Sequence, residues 1–288
     1  MVVQNRKRLA RQRALFRYGK ELPIHVLLLG GVGLSIFPFY WLLVMATNTS
    51  SDIFHFPPRL TFGQELFVNI TNVLQSIDFI GSFFNTLLVA LSSTILILFF
   101  SSIAGFAFAK FSFPGRNALF VTLLATMMLP AHLSVVPSFV IMAHLGWVGS
   151  FKALVIPGAV TAFSIFWMRQ YAQNAIHQDL IDAARVDGCS YLRMYWVVAL
   201  PFLRPALAFL GVFTFIHAWN DYMWPLIILT NPQKVTLQVA LSQLSGIYNT
   251  DYGMVMAGTA LATLPLICIF LVGSRQFIGD IAAGALKE

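Results

Sequence analysis

The chain has 288 residues, of which 58% are hydrophobic and only 10% charged, with a mean hydropathy of +0.77 and a formal net charge of +7. Soluble domains carry about 25% charged residues, so this composition excludes an ordinary globular domain. The basic excess does not mark a nucleic-acid binder either. It gathers at Arg6, Lys7, Arg8, Arg11, Arg13, Arg17 and Lys20, beside an apolar run, where it orients a membrane span and meets lipid head groups.

Residues 1–21 read as a basic cytoplasmic segment and 22–273 as one transmembrane domain. Apolar runs long enough to cross a bilayer, about 20 residues each, fall at 22–46, 86–108, 119–143, 151–168, 202–229 and 254–272. The expectation is an all-α membrane protein of six transmembrane helices. The first run, at about 25 residues, exceeds the 7–15 of a cleaved signal. Residues 47–85 hold Pro57-Pro58 and predict an ordered, irregular external connection with a short helix near 64–73. Between the second and third runs, FSFPGRN places Pro114 and Gly115 in a tight turn. Residues 231–253 lie outside again. There Leu237, Ala240, Leu241 and Leu244 have the spacing of a helix dipping back toward the membrane.

Most of the runs contain a helix breaker: Pro38, Pro130, Pro137, Pro157 with Gly158, Pro225 or Pro265. Proline removes a backbone donor, and the freed carbonyls need neighbours or a wet cavity. The bundle is therefore expected to be bent, either to enclose a pathway or simply to shape packing. Ser92, Ser93, Ser101, Ser102, Gly105 and Ala109 suit close contact between helices.

Six spans place both termini on one side, and 15 of the 18 Lys and Arg fall there, leaving only Arg59, Lys152 and Lys234 opposite. The positive-inside rule makes that side the cytoplasm. Cys189 and Cys268 have no metal-ligand spacing and read as free thiols.

Asp221 is the only formal charge well inside an expected span, toward its external half, in HAWNDYMWP. Intramembrane carboxylates are costly and often functional. His217, Asn220, Asp221 and Trp224 can form the polar edge of a translocation cavity or its outer gate. They fit equally an interfacial aromatic belt with a hydrogen-bonded Asn–Asp pair. His132 joins them as a candidate on the substrate pathway.

The most unusual stretch is DLIDAARVDGCSYLRMYWVVALP, residues 179–201, with charges at Asp179, Asp182, Arg185, Asp187 and Arg193. Asp179 can cap a short helix, and Asp182 complements its dipole. Gly188 stands where a left-handed residue would end it, and Ser190 can cap the next helix. A helix of about eight residues is too short to stand alone in water. It must pack on something. Ala183 and Ala184 permit close approach, and Leu180 and Ile181 offer an apolar knob. Such a rod, joined rigidly to a membrane helix, suits mechanical coupling to another protein.

The segment DAARVDG followed by VALP resembles the cytoplasmic signature of permease subunits of bacterial binding-protein-dependent ABC importers. That signature reads Glu-Ala-Ala, three residues, Gly, nine residues, Ile, one residue, Leu-Pro. Asp182, Ala183, Ala184, Gly188, Val198, Leu200 and Pro201 occupy its places, with Asp for Glu and Val for Ile as departures. The resemblance continues through residues 49–58, AGFAFAKFSFPGRN, FWMRQY, WNDYMWPL and FIGDIAAGALKE. Together these are similar to permeases of carbohydrate importers for maltose, glycerol 3-phosphate, lactose and arabinose oligosaccharides.

The resemblance implies a type I ABC importer transmembrane domain whose coupling loop is 172–200. Asp179, Leu180, Asp182, Ala183, Ala184, Asp187, Gly188 and Ser190 would then dock on an ATPase. It implies four kinds of partner: a second, homologous permease subunit, two copies of a cytoplasmic ATPase, an extracytoplasmic sugar-binding protein, and the lipid bilayer. ATP and Mg would be bound by the ATPase, with no cofactor, metal or catalytic residue on this chain. The tail 274–288 resembles one that enters the ATPase interface, with Gly284, Ala285 and Lys287 in the matching stretch. The final Glu288 stands where Gly is common.

Two other classes are less well supported. An ion-coupled secondary transporter places acidic coupling sites near the midplane, and only Asp221, off centre, is available. For a membrane enzyme, the six His residues are dispersed without HExxH, and no GxxxxGK[ST] exists to cradle phosphates.

Overall fold

The computed structural model describes residues 2–57, 59–246 and 250–285, with side chains for 23–57, 59–130, 133–246 and 250–273. Among the described residues every regular element is helical. The longer helices are α1 (Val2–Ala46), α2 (Leu66–Ser76), α3 (Phe79–Lys110), α4 (Arg116–Thr126), α5 (Val135–His144) and α6 (Ala162–Ala175). They continue with α7 (Gln178–Val186), α8 (Tyr191–Trp219), α9 (Met223–Ile228), α10 (Leu237–Ser242) and α11 (Tyr252–Ala285).

Among the described residues four helical stretches are long and apolar enough to cross a membrane: Pro23–Ala46, Phe79–Lys110, Tyr191–Trp219 and Tyr252–Gly273. The expected third and fourth spans are not continuous helices. Residues 119–143 divide between α4 and α5 at a break containing Pro130, and 151–168 divide at Pro157-Gly158 between the turn Lys152–Val155 and α6. A proline lacks the amide donor and turns the preceding residue away from helical geometry. Neither half then reaches the roughly 20 residues that a crossing needs.

The fifth span also differs from expectation. It begins at Tyr191, because a π-helical turn at Tyr195–Ala199 carries the helix into Pro201, and it stops at Trp219. Asp221 therefore sits in a break between α8 and α9, not inside a helix.

The chain forms two compact units, 1–72 with 250–260 and 73–249 with 261–288. In the first, side chains close the end of α1, whose last carbonyls have no partner within the helix. Thr47 and Asn48 both donate to the Val44 carbonyl at 2.7 Å. Asn69, on the helix expected near 64–73, donates to the Ala46 and Asn48 carbonyls at 2.9 and 3.1 Å. The Thr49 hydroxyl donates to Asp52 at 2.8 Å, and Asp52 pairs with Arg59 at 2.9 Å. Ser50 donates to Asp251 at 3.0 Å and accepts the Tyr252 amide at 2.8 Å. Among its described residues the connection is irregular between Phe54 and Glu65, is ordered by side-chain bonds, and carries the expected short helix as α2.

The second unit is built on α3, which packs against α6 and α8. Its buried face is rich in small residues, including Ser93, Ser101, Ser102 and Gly105. A Cβ on Gly105 would lie 2.5 Å from Met168 Cβ and 2.8 Å from the Arg169 amide nitrogen. The two helix backbones touch there, which any larger residue would forbid. The core continues through Phe106, Met168, Ala172, Met194, Tyr195, Leu203 and Leu210. The turn at FSFPGRN forms with Gly115 at φ +78°. Near the other end of α3, Asn85 donates to the Gln233 and Val235 carbonyls at 3.1 and 3.0 Å, and the Leu237 amide donates to Thr86 at 2.7 Å. These bonds fold α10 back, with Leu237, Ala240, Leu241 and Leu244 buried.

Candidate functional site

The short helix α7 is held by one face. Ile181 and Ala184 are buried and join the core formed by α3, α6 and α8. Burying the Ile side chain contributes roughly 1.5–3 kcal/mol, the packing that so short a helix needs. Asp179 lies in its first turn, but the capping position belongs to His177 and makes no side-chain bond. The expected cap at Asp179 is thus displaced by two residues, since Ile176 ends α6 in extended geometry and lets the new helix start at once.

The C-terminal turn follows the sequence expectation. Gly188 has φ +74°; its amide donates to Arg185 at 3.0 Å and the Cys189 amide to Ala184 at 2.9 Å. That 6→1 and 5→2 pair is a Schellman ending with glycine at the left-handed position. Ser190 caps α8 by accepting from the Arg193 amide at 3.4 Å. Cys189 is half-buried and Cys268 exposed, both free.

The outer face of α7 carries Leu180, Ala183 and the 87% exposed Val186, spaced three apart, beside exposed Asp179, Asp182, Asp187 and Gly188. Asp182 pairs with Arg185 at 3.2 Å and accepts from Gln178 at 3.2 Å. The apolar knob expected from Leu180 and Ile181 is therefore split, with Ile181 inward and Leu180 outward. Leu180 lies about 100° round the helix from Ile181, which turns it away from the core that buries Ile181. Val186 was not singled out by sequence, although its i, i+3, i+6 relation to Leu180 and Ala183 was there to read.

A second feature lies within the second unit, a cavity of about 770 Å³. His217, Asp221 and Trp224 line it with hydroxyls from Thr86, Ser93, Ser134, Ser138, Thr161, Ser164, Thr214 and Thr236 and with the rings of Phe163 and Phe213. The Trp224 indole donates to the Ala153 carbonyl at 3.0 Å, fixing its ring, and the Asp221 carboxylate accepts the Trp224 amide. Asn220 is not brought to the wall. Its amide donates to the Ile216 carbonyl at 2.9 Å and its oxygen accepts from Gln238 at 3.3 Å. The Asn220 side chain is thus engaged by its own helix and α10. Sequence reading passed over the hydroxyls, because small polar residues inside apolar runs read first as packing.

The side chains of His132 and Ala285 and all of Lys287 lie outside the described residues; the backbone of Gly284 and Ala285 closes α11.

Residues 97–277 match the family of binding-protein-dependent transport system inner membrane components. The chain is 37% identical over 85% of its length to a lactose transport system permease protein of Rhizobium radiobacter, covering 89% of that protein. It is 34% identical over 88% of its length to an arabinooligosaccharides transport system permease of Bacillus subtilis, covering 91% of it. An sn-glycerol-3-phosphate transport system permease of Salmonella typhi is 32% identical over 91% of this chain and 96% of its own length. Among solved structures, a bacterial ABC transporter importing the acidic polysaccharide alginate superposes with a TM-score of 0.78 at 24% identity, over 91% of this chain and 98% of that one. With its family matched across α3 to α11 and relatives aligned over nearly the whole length, the chain belongs to the binding-protein-dependent transport system inner membrane components.

Proposed function

We propose that the chain is one of two permease subunits lining the pore of an ATP-driven sugar importer in the cytoplasmic membrane. The observation that carries the reading is α7: Ile181 and Ala184 fix it to the membrane core, while Leu180, Ala183, Val186 and three carboxylates face outward. A helix pinned on one side and open on the other transmits force in both directions. Two copies of a cytoplasmic ATPase bind ATP and Mg and grip this outer face. Their closure moves the bundle as a rigid body, giving alternating access. An external binding protein delivers the sugar, and a second, homologous permease completes the pore.

In this reading the broken segments 116–144 and 152–175 serve as the third and fourth crossings, which brings the total to six and places both termini and α7 in the cytoplasm. Irregular backbone at membrane depth is tolerated where it is buried in protein or lines a cavity. The cavity bordered by Ser134, Pro157 and Gly158 meets that condition. The tail beyond residue 274 reaches the ATPase interface.

The test is transport by the whole importer in vesicles with Asp182→Ala and Gly188→Val made separately. Uptake of sugar and stimulated ATP hydrolysis are expected to fall together while the subunits still assemble. Survival of both activities in both variants would remove α7 from the coupling role.

A further inference from the structure

The cavity of the second unit carries a statement about cargo charge. Its volume of about 770 Å³ falls within the roughly 300–1,000 Å³ typical of small-molecule sites. Its wall supplies hydroxyls, which both donate and accept, and flat aromatic faces at Phe163, Phe213 and Trp224. The hydroxyl of Thr236, a buried residue of the wall, has no hydrogen-bond partner. Buried polar atoms of this kind are normally satisfied by protein groups or ordered water.

The charge of the wall is one-sided. Among its lining residues there is no Lys or Arg; Asp221 is the only formal charge and His217 the only other titratable group. Among the described residues no ion pair engages Asp221, whose carboxylate accepts the Trp224 amide and interacts electrostatically with His217. Carboxylate and phosphate ligands are recognised by Arg and Lys. A fixed carboxylate facing a second anion across a cavity repels it instead, even at the effective dielectric of a protein surface.

We infer that this cavity admits neutral sugars and excludes anionic ones, with Asp221 as the residue that sets the discrimination. The inference rests on the importer reading above and deepens it. Cargo charge is a real variable among the similar proteins, whose names include lactose and arabinooligosaccharides on one side and glycerol 3-phosphate and alginate on the other.

The experiment measures equilibrium binding to the whole importer in nanodiscs without binding protein. Lactose and arabinotriose are the neutral probes, and digalacturonate the anionic one. The tighter neutral probe is expected to bind about tenfold or more above digalacturonate. Asp221→Asn should reduce that preference to about threefold or less, and Asp221→Glu should keep it. Equal binding of both classes by the unaltered complex overturns the inference, and needs no variant to fold. So does a preference untouched by Asp221→Asn, or ATP-driven sugar uptake with no sugar binding to the complex. Loss of all sugar binding together with all ATP-driven sugar uptake overturns the importer reading itself.

Discussion

The phenol oxygen of Tyr195 lies 2.7 Å from the hydroxyl of Ser102, joining the π-helical turn of α8 to the C-terminal third of α3. Ser102 already donates to the Phe99 carbonyl at 3.0 Å, so its hydrogen is committed and Tyr195 is the donor. Both residues are buried. A π turn inside an α-helix often marks a functional place, and this one stands five residues beyond the Ser190 cap of the same helix. Tyr195→Phe should cost about 1 kcal/mol of stability. Thermal unfolding of the assembled complex checks it. Ser102→Ala should cost a similar amount, and the double variant little more; full additivity would contradict the bond.

The two faces of α7 make opposite demands. Ile181 is fully buried and Val186 is 87% exposed. Ile181→Ala should destabilise by about 2–5 kcal/mol. Val186→Ala should leave stability within about 0.5 kcal/mol. If the outer face grips an ATPase, Val186→Ala alone should still weaken stimulated ATP hydrolysis. Melting curves and ATPase assays on the same preparations separate the two effects.

Contact between α3 and α6 leaves no room at Gly105, where an added Cβ would meet Met168 Cβ at 2.5 Å. Gly105→Ala should therefore destabilise by about 1–3 kcal/mol, as overpacked cores do, and Gly105→Val by more. Met168→Gly made with Gly105→Ala removes the Cβ of the nearer clash but not the contact with the Arg169 amide. Rescue should be partial. The yield of folded complex and its melting temperature report both.

Asp52 gives a pH dependence outside the membrane spans. The Thr49 hydroxyl bond first, and Arg59 after burial's opposing pull, hold its carboxyl below the ordinary aspartate value. A carboxylate lowered on folding stabilises fully above its unfolded pKa, near 3.9, and loses that contribution as pH falls through the lower folded value. The amides of Ile53 and Phe54 should thus stay protected from hydrogen exchange at pH 5 and lose protection as pH falls through the lowered folded value. Thr49→Ala should shift the opening to higher pH. Protection that is independent of pH between 5 and 2.5 would refute the assignment.

Long-range order here was legible wherever one local rule dominated. The apolar runs at 22–46, 86–108 and 254–272 needed only length and hydropathy, and they became helices. Gly188 needed only the freedom of a residue without a Cβ, and φ is +74°. The resemblance of DAARVDG and VALP to the importer signature was likewise local, and the family match agrees with it. Where two rules competed, hydropathy alone did not give the form of the segment. Apolar composition at 119–143 and 151–168 argued for continuous helices, but the chain breaks at Pro130 and at Pro157-Gly158.

Sequence by itself therefore determined that the chain is an all-helical membrane protein of the permease family, because length, hydropathy and a spaced motif are properties of the chain alone. Tertiary structure decided which face of α7 is left open and which residues meet around the cavity. Ile181 and Leu180 are equally apolar neighbours, and only the position of the core separates them. Thr86, Ser138, Ser164 and Thr236 are scattered over 150 residues, and only the folding of α10 back onto α3 and the breaks beside α5 and α6 bring them to one wall with Asp221. Burial and convergence are set by packing between distant segments, which no local pattern encodes.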